Sequence, residues 1–160
     1  MRAEPSLAPY AHRRRVESMS QPGCYSLVIE WKQKKTIRIG KPGEMEFQPG
    51  IYVYTGSAMG GLRGRLLRHL SNRKTLRWHI DYFLNDDQAS VKKIVFYPAV
   101  PGQECRQNQK IAALRGALPV PRKFGASDCR SGCPSHLIFF PPGYRPRIKG
   151  IELRLRSLVI

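Results

Sequence analysis

Residues 50–70, Gly-Ile-Tyr-Val-Tyr-Thr-Gly-Ser-Ala-Met-Gly-Gly-Leu-Arg-Gly-Arg-Leu-Leu-Arg-His-Leu, gather side chains suited to phosphate chemistry. Tyr52 and Tyr54 stand before a glycine-rich turn, and Arg63, Arg65, Arg68 and His69 follow it. Arginine fits a phosphate because its planar fork donates to two oxygens at once. Histidine is the side chain most easily tuned near neutral pH. A unit of this kind can hold a phosphate. Cleaving a phosphodiester asks for more: an activated water, stabilisation of charge on the phosphate, and help for the leaving oxygen. A divalent metal on a carboxylate can do more than one of these jobs. No carboxylate falls between Arg63 and Arg77, so it must come from elsewhere in the chain.

The elements that position these residues follow from pattern and punctuation. The β-branched and aromatic run Ile51 to Thr55 reads as a strand ending at Gly56. Leu62, Leu66, Leu67 and Leu70 form an apolar stripe on a helix of about residues 62–70, with Gly64 a poor helix former inside it. Upstream, residues 23–31 read as a first strand. Residues 36–39 read as a second, with Ile37 and Ile39 on one face, before Gly40, Pro42 and Gly43 break it. Downstream, residues 78–84 read as a short helix and 91–97 as a strand bounded by prolines. Residues 104–118 read as a helix with Ile111, Leu114 and Leu118 on one face and Glu104 in its first turn. Residues 128–135 read as a polar loop and 136–140 as a short apolar strand. The stretch 144–160, basic with alternating Ile, Leu and Val, reads as an edge strand or an arm.

Twenty-eight Lys and Arg against 11 Asp and Glu leave a net charge of +17. A field of that sign attracts polyanions, and nucleic acid leads because neutralised phosphates release counterions. An anionic membrane surface and an acidic protein are the plainer alternatives. No run approaches the length of a membrane span, and no membrane partner is expected. The four cysteines occur without a secretory leader, so a cytoplasmic, reducing setting with free thiols is expected, nucleoid association included. The predicted organisation is a basic N-terminal arm over 1–22, a folded domain over 23–140 and a basic C-terminal extension over 141–160.

Four short motifs now fall in order: Gly23-Cys24-Tyr25, then Tyr54-Thr55-Gly56-Ser57-Ala58, then Arg65 with His69 four residues on, then Glu104. This order resembles the GIY-YIG nuclease superfamily. The longer pattern takes in Trp78-His79-Ile80-Asp81-Tyr82, Glu104-Cys105, Gly125 to Cys129, and Ser135-His136-Leu137. It is similar to an uncharacterised branch whose domain is sometimes fused to endonuclease-III-like DNA glycosylases. Gly50-Ile51-Tyr52 spells the first motif literally, but it lies within the strand that ends in the second, so Gly23-Cys24-Tyr25 is the better match. Two departures stand out: Cys24 replaces the name-giving isoleucine, and residues 32–49 separate the tyrosine motifs more widely than in compact nucleases.

The resemblance implies an α+β fold, a small central, mostly antiparallel sheet flanked by helices. It implies a DNA endonuclease that uses one Mg²⁺ or Mn²⁺ ion, with branched and damaged DNA among the candidate substrates. Glu104 would ligate the ion, Arg65 would bind the scissile phosphate, Tyr25 and Tyr54 would order water and phosphate, and His69 would act as a base or orienting group. His79, Tyr52, Ser127 and Asp128 would support the site, and Arg63, Arg68, Arg73, Lys74 and Arg77 would form a nucleic-acid-binding face. Against each stands a plainer role: core tyrosines, a solvated helix arginine, a glutamate serving the helix dipole. A non-catalytic binding module of the same fold, or a basic structural partner in a repair or ribonucleoprotein complex, would need only the charged surface.

Cys129-x₃-Cys133-x₂-His136 has zinc-ligand residue types. A closed site needs four ligands, so Cys105 or His79 would have to complete it. The spacing matches no standard finger or ribbon. Zinc is therefore not expected, and Cys129 is read as packing beside Cys105.

Overall fold

The computed structural model describes residues 20–71, 73–98 and 100–154. Most of the predicted arm, including Arg2 and Arg13 to Arg15, and residues 155–160 of the extension lie outside the described residues. The strands are β1 (Gly23–Trp31), β2 (Lys35–Arg38), β3 (Glu44–Phe47), β4 (Gly50–Ala58), β5 (Ala89–Pro98), β6 (Leu118–Pro119), β7 (Leu137–Phe140) and β8 (Ile151–Arg154). The helices are α1 (Leu62–Leu70), α2 (His79–Leu84) and α3 (Gln103–Ala112). Six strands form one antiparallel sheet in the order β6-β7-β4-β1-β5-β8, and β2 pairs with β3 in a separate hairpin. The fold is α+β, as expected.

β1 lies between β4 and β5 with both edges paired, and packed elements cover both its faces, so its sequence is apolar nearly throughout. Tyr25, Leu27, Ile29 and Trp31 point to one face. There they meet Leu62, Leu66 and Leu70 of α1, Ile80 and Phe83 of α2, and Met45 and Phe47 of the hairpin. Cys24 and Val28 point to the other face and pack with Ile111 of α3. The buried polar pair on this second face is satisfied: Ser26 Oγ and Thr55 Oγ1 are 2.8 Å apart, and Tyr97 Oη reaches Ser26 at 3.4 Å.

Two elements differ from expectation. β3 was not anticipated, although Glu-Met-Glu-Phe alternates; the glycine and proline punctuation around it masked a tight hairpin closed by Ile39 N–H to Gly43 O at 2.8 Å. The helix expected to reach residue 118 stops at Ala112. Gly116 adopts φ 85°, and a Cβ there would lie 2.5 Å from the Tyr144 ring, so the chain turns and Leu118 emerges exposed in β6. In the C-terminal extension β8 is an edge strand on β5, the first of the two readings of that stretch, and the sheet extends past residue 140.

Phe83 is the hub of the aromatic core. It stacks on Trp31 at 4.6 Å and meets Phe47 at 4.9 Å, Tyr52 at 5.1 Å and Phe124 at 6.1 Å. Phe83→Ala therefore removes contacts to the hairpin, the sheet and the residue-124 loop together. It is expected to cost about 3–5 kcal/mol in urea unfolding with an unchanged m value.

Candidate active site

Tyr25, Tyr54, Arg65, His69 and Glu104 come from β1, β4, α1 and α3 to one end of the sheet. That end is defined by where β7 stops. β7 pairs with β4 only from Ile51 to Tyr54, and Thr55 N–H then donates to His136 O. β4 runs on to Ala58 with no strand on that side among the described residues. Ser57 lies on this free stretch. Its carbonyl accepts from Arg65 Nη1 at 3.0 Å, and its hydroxyl donates to Glu104 Oε1 at 3.1 Å. Arg65 sits on the α1 face and Glu104 on the α3 face, and Ser57 joins them across the sheet. No site role for Ser57 was foreseen; its place inside the second tyrosine motif was the available signal.

On the α1 face Tyr25 Oη lies 2.5 Å from His69 Nε2, with both side chains almost completely buried. Tyr54 packs 6.3 Å from the Tyr25 ring and 6.0 Å from the His69 ring. Gly56 makes this arrangement possible. A Cβ on it would come within 2.7 Å of Tyr25 Oη and 3.2 Å of Tyr54 Cε1, so the motif glycine is the floor on which the two phenols lie. Trp78, not anticipated as a site residue, supports the arginines. The Arg65 and Arg68 guanidinium carbons lie 4.5 and 4.6 Å from its ring centroid.

The remaining candidates separate. Arg63, Arg73 and Arg77 are exposed. Arg68 is turned inward, with Nη2 2.5 Å from the fully buried Asp81 carboxylate and also donating to Thr75 O. Asp81 Oδ2 further accepts the N–H groups of Arg77 and Trp78 at 2.9 and 3.0 Å, fixing the start of α2. Lys74 Nζ donates to His69 O and Arg68 O, closing the C-terminal end of α1. Tyr52 belongs to the aromatic core and donates to Gln48 O at 2.7 Å. His79 Nδ1 accepts from Gly125 N–H at 3.0 Å and packs on Phe124, a loop-holding role. Ser127 and Asp128 are exposed at the middle of a turn closed by Cys129 N–H to Ala126 O. On the α3 face, Glu104 Oε2 lies 3.5 Å from His136 Nδ1, and Cys105, Cys129, Cys133 and His136 come together. Cys105, not His79, is the fourth member of that group.

The profile described as Domain of unknown function DUF123 matches residues 24–152. The chain belongs to that family. The match spans every one of these clustered residues and runs into β8. No curated protein and no solved structure matches the chain.

In this DUF123 domain, burial dominates the electrostatics of the pocket. It lowers the His69 pKa to about 3, and the positive charge of Lys74 adds to the effect while Asp81 opposes it. Burial raises the Tyr25 and Tyr54 phenols well above their ordinary value, against the pull of the Arg65 guanidinium. Burial also brings Lys74 down to about 8. At neutral pH the Tyr25 hydroxyl is therefore protonated and His69 is neutral, so the phenol donates to an unprotonated Nε2. His69 Nδ1 is buried with no hydrogen-bond partner among the described residues.

These shifts make stability depend on pH. An unfolded histidine takes up its proton near pH 6.5, the folded His69 only near pH 3. Between these values the unfolded chain binds more protons, so the contribution is complete above pH 6.5 and is lost as pH falls toward 3. His79, also lowered by burial, adds in the same direction just below pH 6.5. Urea unfolding from pH 7 to pH 4 is expected to show a shallower loss for His69→Gln than for wild type. The difference should approach about 1.4 kcal/mol per pH unit; parallel curves would contradict the buried neutral histidine.

Proposed function

We propose that this DUF123 domain is a divalent-metal-dependent endonuclease of the GIY-YIG type that hydrolyses phosphodiester bonds in DNA. The reading rests on one observation: Tyr25, Tyr54, Arg65, His69 and Glu104 meet around Gly56 and Ser57 at an end of the sheet left open by β7. The net charge of +17 and the exposed Arg63, Arg73 and Arg77 support a polyanionic substrate.

Glu104 suits Mg²⁺ or Mn²⁺. Its side chain is partly exposed, and one carboxylate is an ordinary protein contribution to ions that keep several waters and bind substrate phosphate. When bound, the ion would stabilise the developing charge on the phosphate and the leaving oxygen. Ser57 orients the carboxylate by donating to Oε1. Arg65 is anchored by one nitrogen to Ser57 O, stacked on Trp78, and keeps further N–H groups for a phosphate. Tyr25 and His69 form a proton relay. As the phenol oxygen takes a proton from water, its own passes to His69 Nε2. The phosphate's negative charge opposes the positive groups that lower the His69 pKa, so His69 is a better base with substrate in place than without.

The near-complete burial of Tyr25 and His69 favours a second reading, in which they are core groups and the domain only binds nucleic acid. Cleavage of plasmid, branched and damaged DNA with Mg²⁺ or Mn²⁺ separates the two. Glu104→Ala is expected to lose cleavage at least 100-fold and keep salt-sensitive DNA binding. Tyr25→Phe, which keeps the ring, is expected to lower kcat about 100-fold or more. Wild-type protein that binds these DNAs and cleaves none of them would establish the binding module.

A further inference from the structure

The loop over residues 120–136 joins β6 to β7 without regular secondary structure, and yet His136 and Ser135 within it are buried. Loops of that length in compact domains are uncommon unless something holds them. Part of the hold is ordinary: His136 N–H donates to Phe124 O at 2.8 Å, and Asn108 Nδ2 donates to Ser135 O at 2.6 Å. The rest is a cluster whose chemistry these contacts do not use. One ligating atom each from Cys105, Cys129, Cys133 and His136 lies within 4.8 Å of all the others.

A tetrahedral zinc with bonds to sulfur of about 2.3 Å sets its sulfur atoms about 3.8 Å apart. Cys105 Sγ is 3.6 Å from Cys129 Sγ and 3.8 Å from His136 Nε2. All four cysteines of the chain are free thiols, so no disulfide occupies the cluster. Three cysteines and one histidine are a set that closed structural zinc sites use. We propose that Cys105, Cys129, Cys133 and His136 form a closed structural Zn²⁺ site that fastens the start of α3 to the residue 129–136 loop.

The spacing of Cys129, Cys133 and His136 matches no standard finger or ribbon because the fourth ligand lies outside the local sequence. It comes from the first turn of α3. His136 offers Nε2 to the cluster and leaves Nδ1 facing Glu104 Oε2 at 3.5 Å, the carboxylate–histidine–zinc arrangement that fixes a ligating imidazole. Glu104 is also the residue before Cys105, so the same ion holds the candidate carboxylate both through the backbone and through His136. Ligand softness keeps two metals apart: thiolates select zinc, while a carboxylate suits Mg²⁺ or Mn²⁺.

Protein purified under reducing conditions without chelator is expected to carry stoichiometric zinc by mass spectrometry of metals. Replacement by Co²⁺ should give thiolate charge-transfer and tetrahedral ligand-field absorption. Cys129→Ser and Cys133→Ser should each lose the metal, whereas His136→Cys, which restores four ligands, should keep it. Folded wild-type protein with less than about a tenth of an equivalent of zinc that also fails to take up Co²⁺ overturns the site. Full zinc in the Cys129→Ser/Cys133→Ser double variant overturns it too. Should the serine variants fail to fold, the wild-type zinc content and cobalt spectrum decide alone. None of these measurements involves DNA or cleavage, so the zinc site is judged independently of the nuclease reading.

Discussion

Ser57 joins two helices that the sheet keeps on opposite faces. Its main-chain carbonyl takes the Arg65 guanidinium and its hydroxyl takes the Glu104 carboxylate, so a cation and an anion are held near one strand without touching each other. This arrangement depends on the open stretch of β4. Had β7 continued alongside β4 beyond Tyr54, it would have competed for the Ser57 carbonyl and covered the approach to the strand. The site thus occupies a place where strand pairing is given up, and side chains from three other elements reach the strand instead.

Behind this edge lies an electrostatic arrangement that favours neutral groups where charge would be costly. Tyr25 and His69 share a proton inside the core, and neither is ionised at neutral pH. The nearby charges are spent on structure: Arg68 on Asp81, and Lys74 on the last carbonyls of α1. Asp81 in turn gathers the amides at the start of α2 and the guanidinium of Arg68, which ties α1 to α2. The basic face next to the site is correspondingly narrower than the sequence reading implies. Two of the five residues read as a nucleic-acid face are internal ties, leaving Arg63, Arg73 and Arg77 exposed.

Local pattern made much of the architecture legible. Apolar, β-branched and aromatic runs bounded by glycine or proline marked β1, β4 and β5, and the leucine stripe marked α1, because these segments bury one or both faces against fixed neighbours. The four alternating residues of β3 sit between the turn signals at Gly43 and Pro49, and that punctuation hides the strand. The end of α3 was misplaced because apolar spacing continues past Ala112, whereas the left-handed backbone at Gly116 and its contact with Tyr144 stop the helix. Tyr144 is distant in sequence, and nothing near Gly116 announces it. Tyr52 and His79 show the same limit. Their types suit a site, but one is packed among Phe47, Phe83 and Phe139, and the other receives a backbone amide from Gly125.

The sequence by itself determined the α+β class, the strong positive charge and the order of the motifs that carry Tyr25, Tyr54, Arg65, His69 and Glu104. Those properties are set by residue type and short-range spacing, which one strand or one helix turn suffices to express. Only the tertiary structure decided which side chains meet. It paired Tyr25 with His69 across 44 positions, joined Arg65 and Glu104 through Ser57, and added Cys133 and His136 to the expected Cys105–Cys129 pair. It also withdrew Arg68 and Lys74 into the fold. The physical reason is that burial and partnership are properties of contacts between elements. Such contacts depend on how β7 and α3 are placed against β4, and that placement is not a property of local spacing.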